Sequence, residues 1–572
     1  MGLWRKHWQI APTAPQAFLE RLQPLPPLMA QVLYNRGITA PDAIEIFLSG
    51  TTPSDNPFQM RDMPNAVTLV RRAIEQGTPI VVYGDYDTDG VTATGILVQA
   101  LQSLGAHVEA YIPDRLEEGY GLNAEAITAL ANKGVRMLIT VDCGIRSLDE
   151  IALARKLGMQ TIITDHHHVG ALLPTADAIL NPRREDCPYP FKELAGAGVA
   201  FKLAQALLRT NSQSRLPTTQ RELPENALLD LVALGTIADM VPLMGENHVL
   251  VQRGLVEINT AHRPGMSALM QITNLIPGKI TATSIGYIVA PRLNAAGRIK
   301  QAHTALDLLL APDLDTALPL AEELDHLNRE RQSLTARVQE QARQLVMEQE
   351  EELPLLFAAG ESTDFPAGVI GLAAGRLTEE FYRPAVVISI EGEYCKGSAR
   401  SIPEFHITEA LDAISELMVR YGGHAAAAGF TVRRELLGEF RNRLTSLAQT
   451  KLGGLQLTPI LQADAEVPLE QLSQDLYYAL ARLEPFGYGN PVPIFISRKA
   501  RVVNARAVGT DGRHLKLFIA DDNGTGWDAI AFGQGEWIGR LPKMVDLAYT
   551  LDLNEWNGSI RLQLNVQDIH QA

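Results

Sequence analysis

Cysteine is scarce in this chain: its 572 residues carry three, Cys143, Cys187 and Cys395. Scattered in this way they cannot frame a disulfide scaffold or a zinc knuckle, which agrees with a reducing compartment and with small buried thiols. Long apolar runs are also missing. Those present are strand-sized and interrupted, and no continuous apolar stretch follows Arg5, Lys6 and His7. No signal peptide or membrane span is therefore expected, and the expected location is cytoplasmic. Basic charge is in deficit, with 50 Lys and Arg against 66 Asp and Glu and a formal net charge of -16. That balance excludes a protein that coats nucleic acid by bulk electrostatics, since such affinity comes from Lys and Arg displacing counterions. A chain of this sign that handles phosphate needs metal ions, or a few concentrated arginines, to offset its own field.

With 46% hydrophobic and 20% charged residues the composition is globular, and the length is that of about three domains. From Ile80, short apolar runs alternate with amphipathic stretches: 80–83 then 91–104, 108–112 then 123–132, 137–141 then 147–157, and 161–164. This is the spacing of a parallel α/β sheet, with Gly105, Gly134 and Gly158 placed where each helix should stop. Helical pattern dominates 197–258, and 316–352 reads as one long connecting helix. A second α/β unit follows, with strands at 355–358, 385–390, 396–400 and 430–432 and helices at 369–381 and 408–421. The last hundred or so residues alternate in the manner of a small antiparallel barrel. The expected division is a helical N-terminal cap on the first domain (1–50), an α/β domain (51–315), the connecting helix (316–352), a smaller α/β domain (353–452) and the barrel (453–572).

Chemistry concentrates at the predicted strand ends. The first reads Tyr83-Gly84-Asp85-Tyr86-Asp87-Thr88-Asp89-Gly90. Carboxylates this close stay ionised only with something positive among them, and a divalent cation is the simplest answer. Asp142 ends another strand, Asp165-His166-His167-His168 ends a third, and Asp239 closes an apolar helix pattern. Strand C-termini in an open parallel sheet face one crevice, so these groups should converge there. Oxygen ligands with one or two imidazoles suit Mn2+ or Mg2+, and two such ions could hold both the attacking and leaving oxygens of a phosphoryl displacement. By itself Asp-x-Asp-x-Asp-Gly also fits a turn or a calcium loop, but no Glu stands at the twelfth position from Asp85 or Asp87.

The set GDYDTDG (84–90), VDCG (141–144), TDHHHVG (164–170) and GTIADMVPL (235–243) resembles the four motifs of the DHH phosphoesterase family. Downstream, PRLNAAGRI (291–299), GVIGLAAGRL (368–377), KGSARSI (396–402) and YGGHAAAAGF (421–430) look like the motifs of its single-strand-specific 5′ exonucleases and their DHH-associated domain. LEPFGYGNP (483–491) looks like the entry to their OB domain. The resemblance implies a parallel-sheet DHH domain joined by a long helix to a DHH-associated domain, then an all-β OB barrel. It implies a single-stranded-DNA-specific 5′→3′ exonuclease that uses two Mn2+ or Mg2+ ions, releases 5′-mononucleotides and acts in DNA repair and recombination.

By resemblance, Asp85, Asp87, Asp89, Asp142, His166 and Asp239 would hold metal, with Asp142 and Asp239 candidates for shared positions. Asp142 also counts with the catalytic residues. His167 would face the scissile phosphate, Asp165 would orient the histidines, and His168 would stand outside the cluster. A 5′-phosphate is best held by planar guanidiniums. The implied end-binding pocket is Arg115, Arg298, Arg376, Ser398 and Arg400, with Gly422, Gly423 and His424 contacting the strand beside it. Arg498, Lys499, Arg501, Arg513, Lys516 and Trp556 are candidates for a barrel groove. The implied partners are single-stranded DNA with a 5′ end, a single-strand-binding protein and a helicase, with no membrane and a monomeric chain.

Two positions depart from the family pattern: Tyr83 stands where many relatives have histidine, and Phe365-Pro366-Ala367-Gly368 stands where many have Trp-His-Glu-Gly. Two other readings keep part of the pattern. One is a phosphodiesterase for short oligonucleotides or small nucleotides, which the segment 483–572 argues against. The other is a non-catalytic scaffold that binds single strands, which the complete set of ligands argues against.

Overall fold

In the computed structural model, the described residues are 6–51, 56–114, 118, 121–299, 302–348, 353–521, 523–556 and 558–572. The first domain is built on a five-stranded parallel sheet of β1 (Ile80–Tyr83), β2 (Val108–Tyr111), β3 (Met137–Val141), β4 (Gln160–Thr164) and β5 (Ala178–Leu180), in the order β2-β1-β3-β4-β5. The central strands are apolar throughout because both faces are covered. Val82, Ile139 and Ile162 face one core, and Val81, Leu138 and Ile163 the other. After β1 the chain moves outward to β2 and then returns to β3 on the opposite side. The strand order therefore reverses between β1 and β3, where an open sheet leaves its crevice.

Three helices bring the remaining groups to that crevice. Helix α1 (Thr88–Ser103) leaves the Asp-rich loop, α2 (Gly196–Gln213) packs along it, and α3 (Leu229–Ala238) ends at Asp239. All three are largely buried, so apolar residues surround them on every side. Close approach depends on Gly235 of α3, where an added Cβ would lie 2.5 Å from Asp89 Oδ1 and 2.4 Å from Thr92 Oγ1.

The connecting helix α4 (Leu314–Met347) starts two residues before its expected position, with the Asp313 side chain accepting from Thr316 N. It spans 34 residues, about 50 Å at 1.5 Å per residue. Its expected end falls at 349–352, outside the described residues. The second α/β domain holds β6 (Leu356–Glu361), α5 (Ile370–Phe381), β7 (Ala385–Glu391), β8 (Tyr394–Arg400), β9 (Met418–His424) and β10 (Ala427–Arg433), in sheet order β9-β10-β8-β7-β6. The expected helix 408–421 is a helix only over Ile407–Asp412, and β9 begins at Met418. Pairing of Tyr421 with Phe430 and Gly422 with Gly429 in a hairpin outweighs the local helical spacing.

The C-terminal strands 495–508, 514–520, 526–531, 559–571 and 544–556 form a barrel, closed by pairing of the first with the last. The expectation that residues 1–50 cap the first domain is corrected here. Phe18, Met29, Leu33 and Phe47 share one apolar core with Phe495, Leu517 and Tyr549 of the barrel, and strand His7–Ile10 pairs with Ile460–Ala463. Amphipathic helices need an apolar partner, and their sequence does not specify which. The segment touches the first domain at the stacking of Phe47 on His248, ring centroids 3.8 Å apart.

Candidate metal centre and phosphate cleft

Backbone amides prepare the loop after β1 to hold carboxylates. Asp87 caps α1, its Oδ1 accepting from Asp89 N at 2.9 Å and Gly90 N at 3.1 Å. Asp89 reaches across to the start of α2, accepting from Gly196 N at 2.6 Å and Ala197 N at 2.8 Å. The positive end of α2 therefore faces this acid. Asp142 takes a left-handed backbone conformation, φ 60°, directly after β3. Gly196 lies so near that its Cβ would stand 2.6 Å from that of Asp142.

The expected ligands converge in three overlapping sets. Asp85, Asp87 and Asp142 form one, Asp89, His166 and Asp239 a second, and Asp142, His166 and His167 a third, with the donor atoms of each set within 4.8 Å of one another. His166 Nε2 lies 3.1 Å from Asp142 Oδ1, 3.6 Å from Asp239 Oδ2 and 4.0 Å from Asp89 Oδ2. Neither His166 Nε2 nor Asp142 Oδ1 has a hydrogen-bond partner among the described residues, although both are buried.

The electrostatics describe a site short of positive charge. Burial and Asp87 push Asp89 up to about 7, and burial with Asp89 and Asp87 pushes Asp239 up to about 9. Burial and the surrounding carboxylates hold Asp142 well above the ordinary range. Burial and His167 push His166 down to about 3, so its imidazole is neutral with a lone pair available. A neutral imidazole among crowded carboxylates is a donor set for hard or borderline divalent ions, and Asp142 is common to two of the sets. The residues fit a pair of such ions.

Asp165 is buried yet held below the usual carboxylate range: desolvation raises it, and hydrogen bonds and the charge of His167 and His166 more than reverse this. Its Oδ1 accepts from the His166 and His167 amides and lies 2.8 Å from His167 Nδ1, and its Oδ2 accepts from Ile145 N. His167, whose side chain is 40% exposed, is fixed through Nδ1 at the edge of the cluster. His168 stands outside it, paired with Arg183 at 3.0 Å. Tyr83 also faces away, its ring packing on Tyr111 and its hydroxyl donating to Gly121 O.

Across the cleft, the Arg400 guanidinium donates to Ser398 Oγ at 3.1 Å and Ala399 O at 2.9 Å. Burial lowers its pKa, and no carboxylate among the described residues offsets this. The first turn of α5 backs onto the pair, since a Cβ on Gly371 would lie 2.9 Å from Ser398 Oγ and 3.1 Å from Arg400 Nη2. Arg298 donates to Gly368 O at 3.2 Å, tying the first domain to the Phe365 loop. Phe365 itself is buried in the core beneath α5. Gly422, Gly423 and His424 end the exposed hairpin arm β9, and the charge of His424 reaches His168. Arg115 and the Trp556 side chain lie outside the described residues. Arg498, a groove candidate, is engaged instead in ion pairs with Glu466 and Asp546.

Three groups escaped the sequence reading. Asn294 accepts from Thr88 N at 2.8 Å and so braces the Asp-rich loop. Arg183 carries positive charge toward Asp239, and its signal was an Asn-Pro-Arg-Arg run just after β5. On α4, Arg331 donates to Asn328 Oδ1, while its Nε and Asn328 Nδ2 are buried with no hydrogen-bond partner among the described residues. Burial and the charges of Arg376 and Arg292 lower the Arg331 pKa, so an anion would relieve this corner.

Residues 79–236 match the DHH family N-terminal domain, 354–450 the DHHA1 domain and 463–568 the RecJ OB domain. The single-stranded-DNA-specific exonuclease RecJ of Bacillus subtilis is 38% identical over 95% of this chain and 68% of its own length. RecJ of Thermus thermophilus in complex with Mn2+ superposes with a TM-score of 0.85 at 31% identity, over 99% of this chain and 80% of that one. The same protein in complex with Mg2+ gives a TM-score of 0.78 at 29% identity, over 99% and 79%.

Proposed function

This chain belongs to the RecJ family of single-stranded-DNA-specific exonucleases, and from that premise we propose how its residues divide the work. It is a metal-dependent DNA exonuclease of the DHH class, with Mn2+ or Mg2+ as cofactor and a role in DNA repair. The convergence of Asp85, Asp87, Asp89, Asp142, His166 and Asp239 on one crevice carries the proposal about its site. Asp85, Asp87 and Asp142 would hold one ion, and Asp89, His166 and Asp239 the other, with Asp142 shared. When bound, two ions supply Lewis-acid polarisation of the phosphodiester and a more acidic water.

The chain's own residues do the rest. Asp165 holds His167 in one orientation, so that its outer ring nitrogen is presented to the scissile phosphate. Arg400, Ser398, Arg376 and Arg298, with Arg115, bind the 5′-phosphate, and Arg331 and Asn328 of α4 join them. Anchoring the end in this pocket would make hydrolysis proceed 5′→3′ and release mononucleotides. Gly422, Gly423 and His424 lie along the strand, and the cleft beneath the long helix excludes duplex. The barrel takes the single strand beyond the cleft. The finer assignments of a monomeric, cytoplasmic enzyme that follows a helicase and a single-strand-binding protein rest on the family resemblance and on the three unpaired cysteines.

Calorimetric titration with Mn2+ tests the metal assignment. Two ions per chain are expected, and Asp239→Ala should lose one with its activity while melting normally. Unchanged stoichiometry and turnover in Asp239→Ala would remove it from the centre.

A further inference from the structure

The seam between the first domain and the barrel holds a cavity of about 390 Å³, lined by none of the metal-centre residues. Ala282 of the first domain and Leu480, Phe486 and Phe495 of the C-terminal unit give it apolar walls. Its charged residues are Glu484 and Asp552, with no Lys or Arg among those lining it. Burial raises the Glu484 carboxyl above its usual range, and among the described residues no cation or hydrogen-bond donor pairs with it. The Tyr477 phenol beside it is raised by burial and by both acids. A second cavity of about 600 Å³ shares Thr281, Ala481, Glu484 and Pro485 with the first, so the two form one groove, with Arg482 lining its second part. Val256 and Val492, 62% and 40% exposed, line its two parts.

The first cavity carries acids and no cation, a lining that repels phosphate and so does not suit the DNA strand there. A half-buried carboxylate among apolar side chains, with no cation paired to it among the described residues, favours a cation that brings apolar surface with it. The joined volume has room for several side chains, more than one small amine fills. We propose that the groove binds a partner protein through a segment presenting a lysine or arginine between apolar side chains, with the cation meeting Glu484 and its neighbours seated on Leu480, Phe486 and Val256.

The test is calorimetric titration of the full-length protein with acetyl-Phe-Lys-Leu-amide, beside versions with glutamate or norleucine in place of lysine, and with cadaverine. The lysine peptide should bind at least about tenfold more tightly than each of the other three, and Glu484→Gln should weaken it about tenfold while melting and single-strand degradation stay unchanged. Absence of binding at millimolar lysine peptide would overturn the proposal, as would equal binding of the norleucine peptide or of cadaverine, or full affinity in Glu484→Gln.

Discussion

Asp165 makes its contribution by position, since it touches His166 and His167 and its carboxylate belongs to none of the three donor sets. Asp165→Asn should therefore cut turnover by about 10–100-fold through a misoriented His167, with Mn2+ stoichiometry kept. Loss of a metal ion in that variant would recast Asp165 as a ligand. Arg400→Ala should abolish the preference for a 5′-phosphorylated over a 5′-hydroxyl strand, read as a ratio of kcat/KM, and Arg331→Ala should reduce it. An unchanged ratio would remove either residue from the pocket. At this scale the convergence of the proposed metal ligands was legible because strand ends of a parallel sheet share one crevice, so their letters carried their location. Arg331 was not legible, because the face a helical arginine presents is decided by what packs against that helix.

Between elements, one of the contacts joining the N-terminal helices to the first domain is the buried stack of Phe47 on His248. Desolvation pushes His248 from 6.5 down to about 4, so the unfolded chain binds the extra proton between those values. Stability should accordingly fall as pH drops through that window, by about 3 kcal/mol at its lower end. His248→Gln should flatten this part of the stability curve in urea melts recorded from pH 7 to pH 4. A slope equal to that of the unsubstituted protein would show that His248 charges freely in the folded state. Helices and strands of the first sheet were legible from alternation and from glycines such as Gly105 and Gly134, both at positive φ. The β9 arm was not, because the pairing of Tyr421 with Phe430 is a contact between strands that spacing within one segment does not encode.

The molecule as a whole is less modular than its order of domains implies. Phe18, Met29 and Leu33 are buried by the barrel, so a chain cut after residue 452 would expose them. Residues 1–452 should bind an apolar dye and melt earlier than residues 56–452, and equal behaviour would mean that the N-terminal helices find cover elsewhere. The sequence of domains was legible from motifs that each carry their own chemistry, but the partner of the N-terminal helices was not, since an apolar face names no partner. The central claim concerns the whole cleft: metal centre, end-binding arginines and channel act together on one end of a single strand. It is tested most directly by a time course with Mn2+ or Mg2+ on 5′-phosphorylated single strands labelled at either end, beside blunt duplex, with Asp239→Ala as control. Mononucleotides should appear at once from the 5′ label and only late from the 3′ label, with duplex and Asp239→Ala inert, whereas early release of the 3′ label or comparable digestion of duplex would contradict the account.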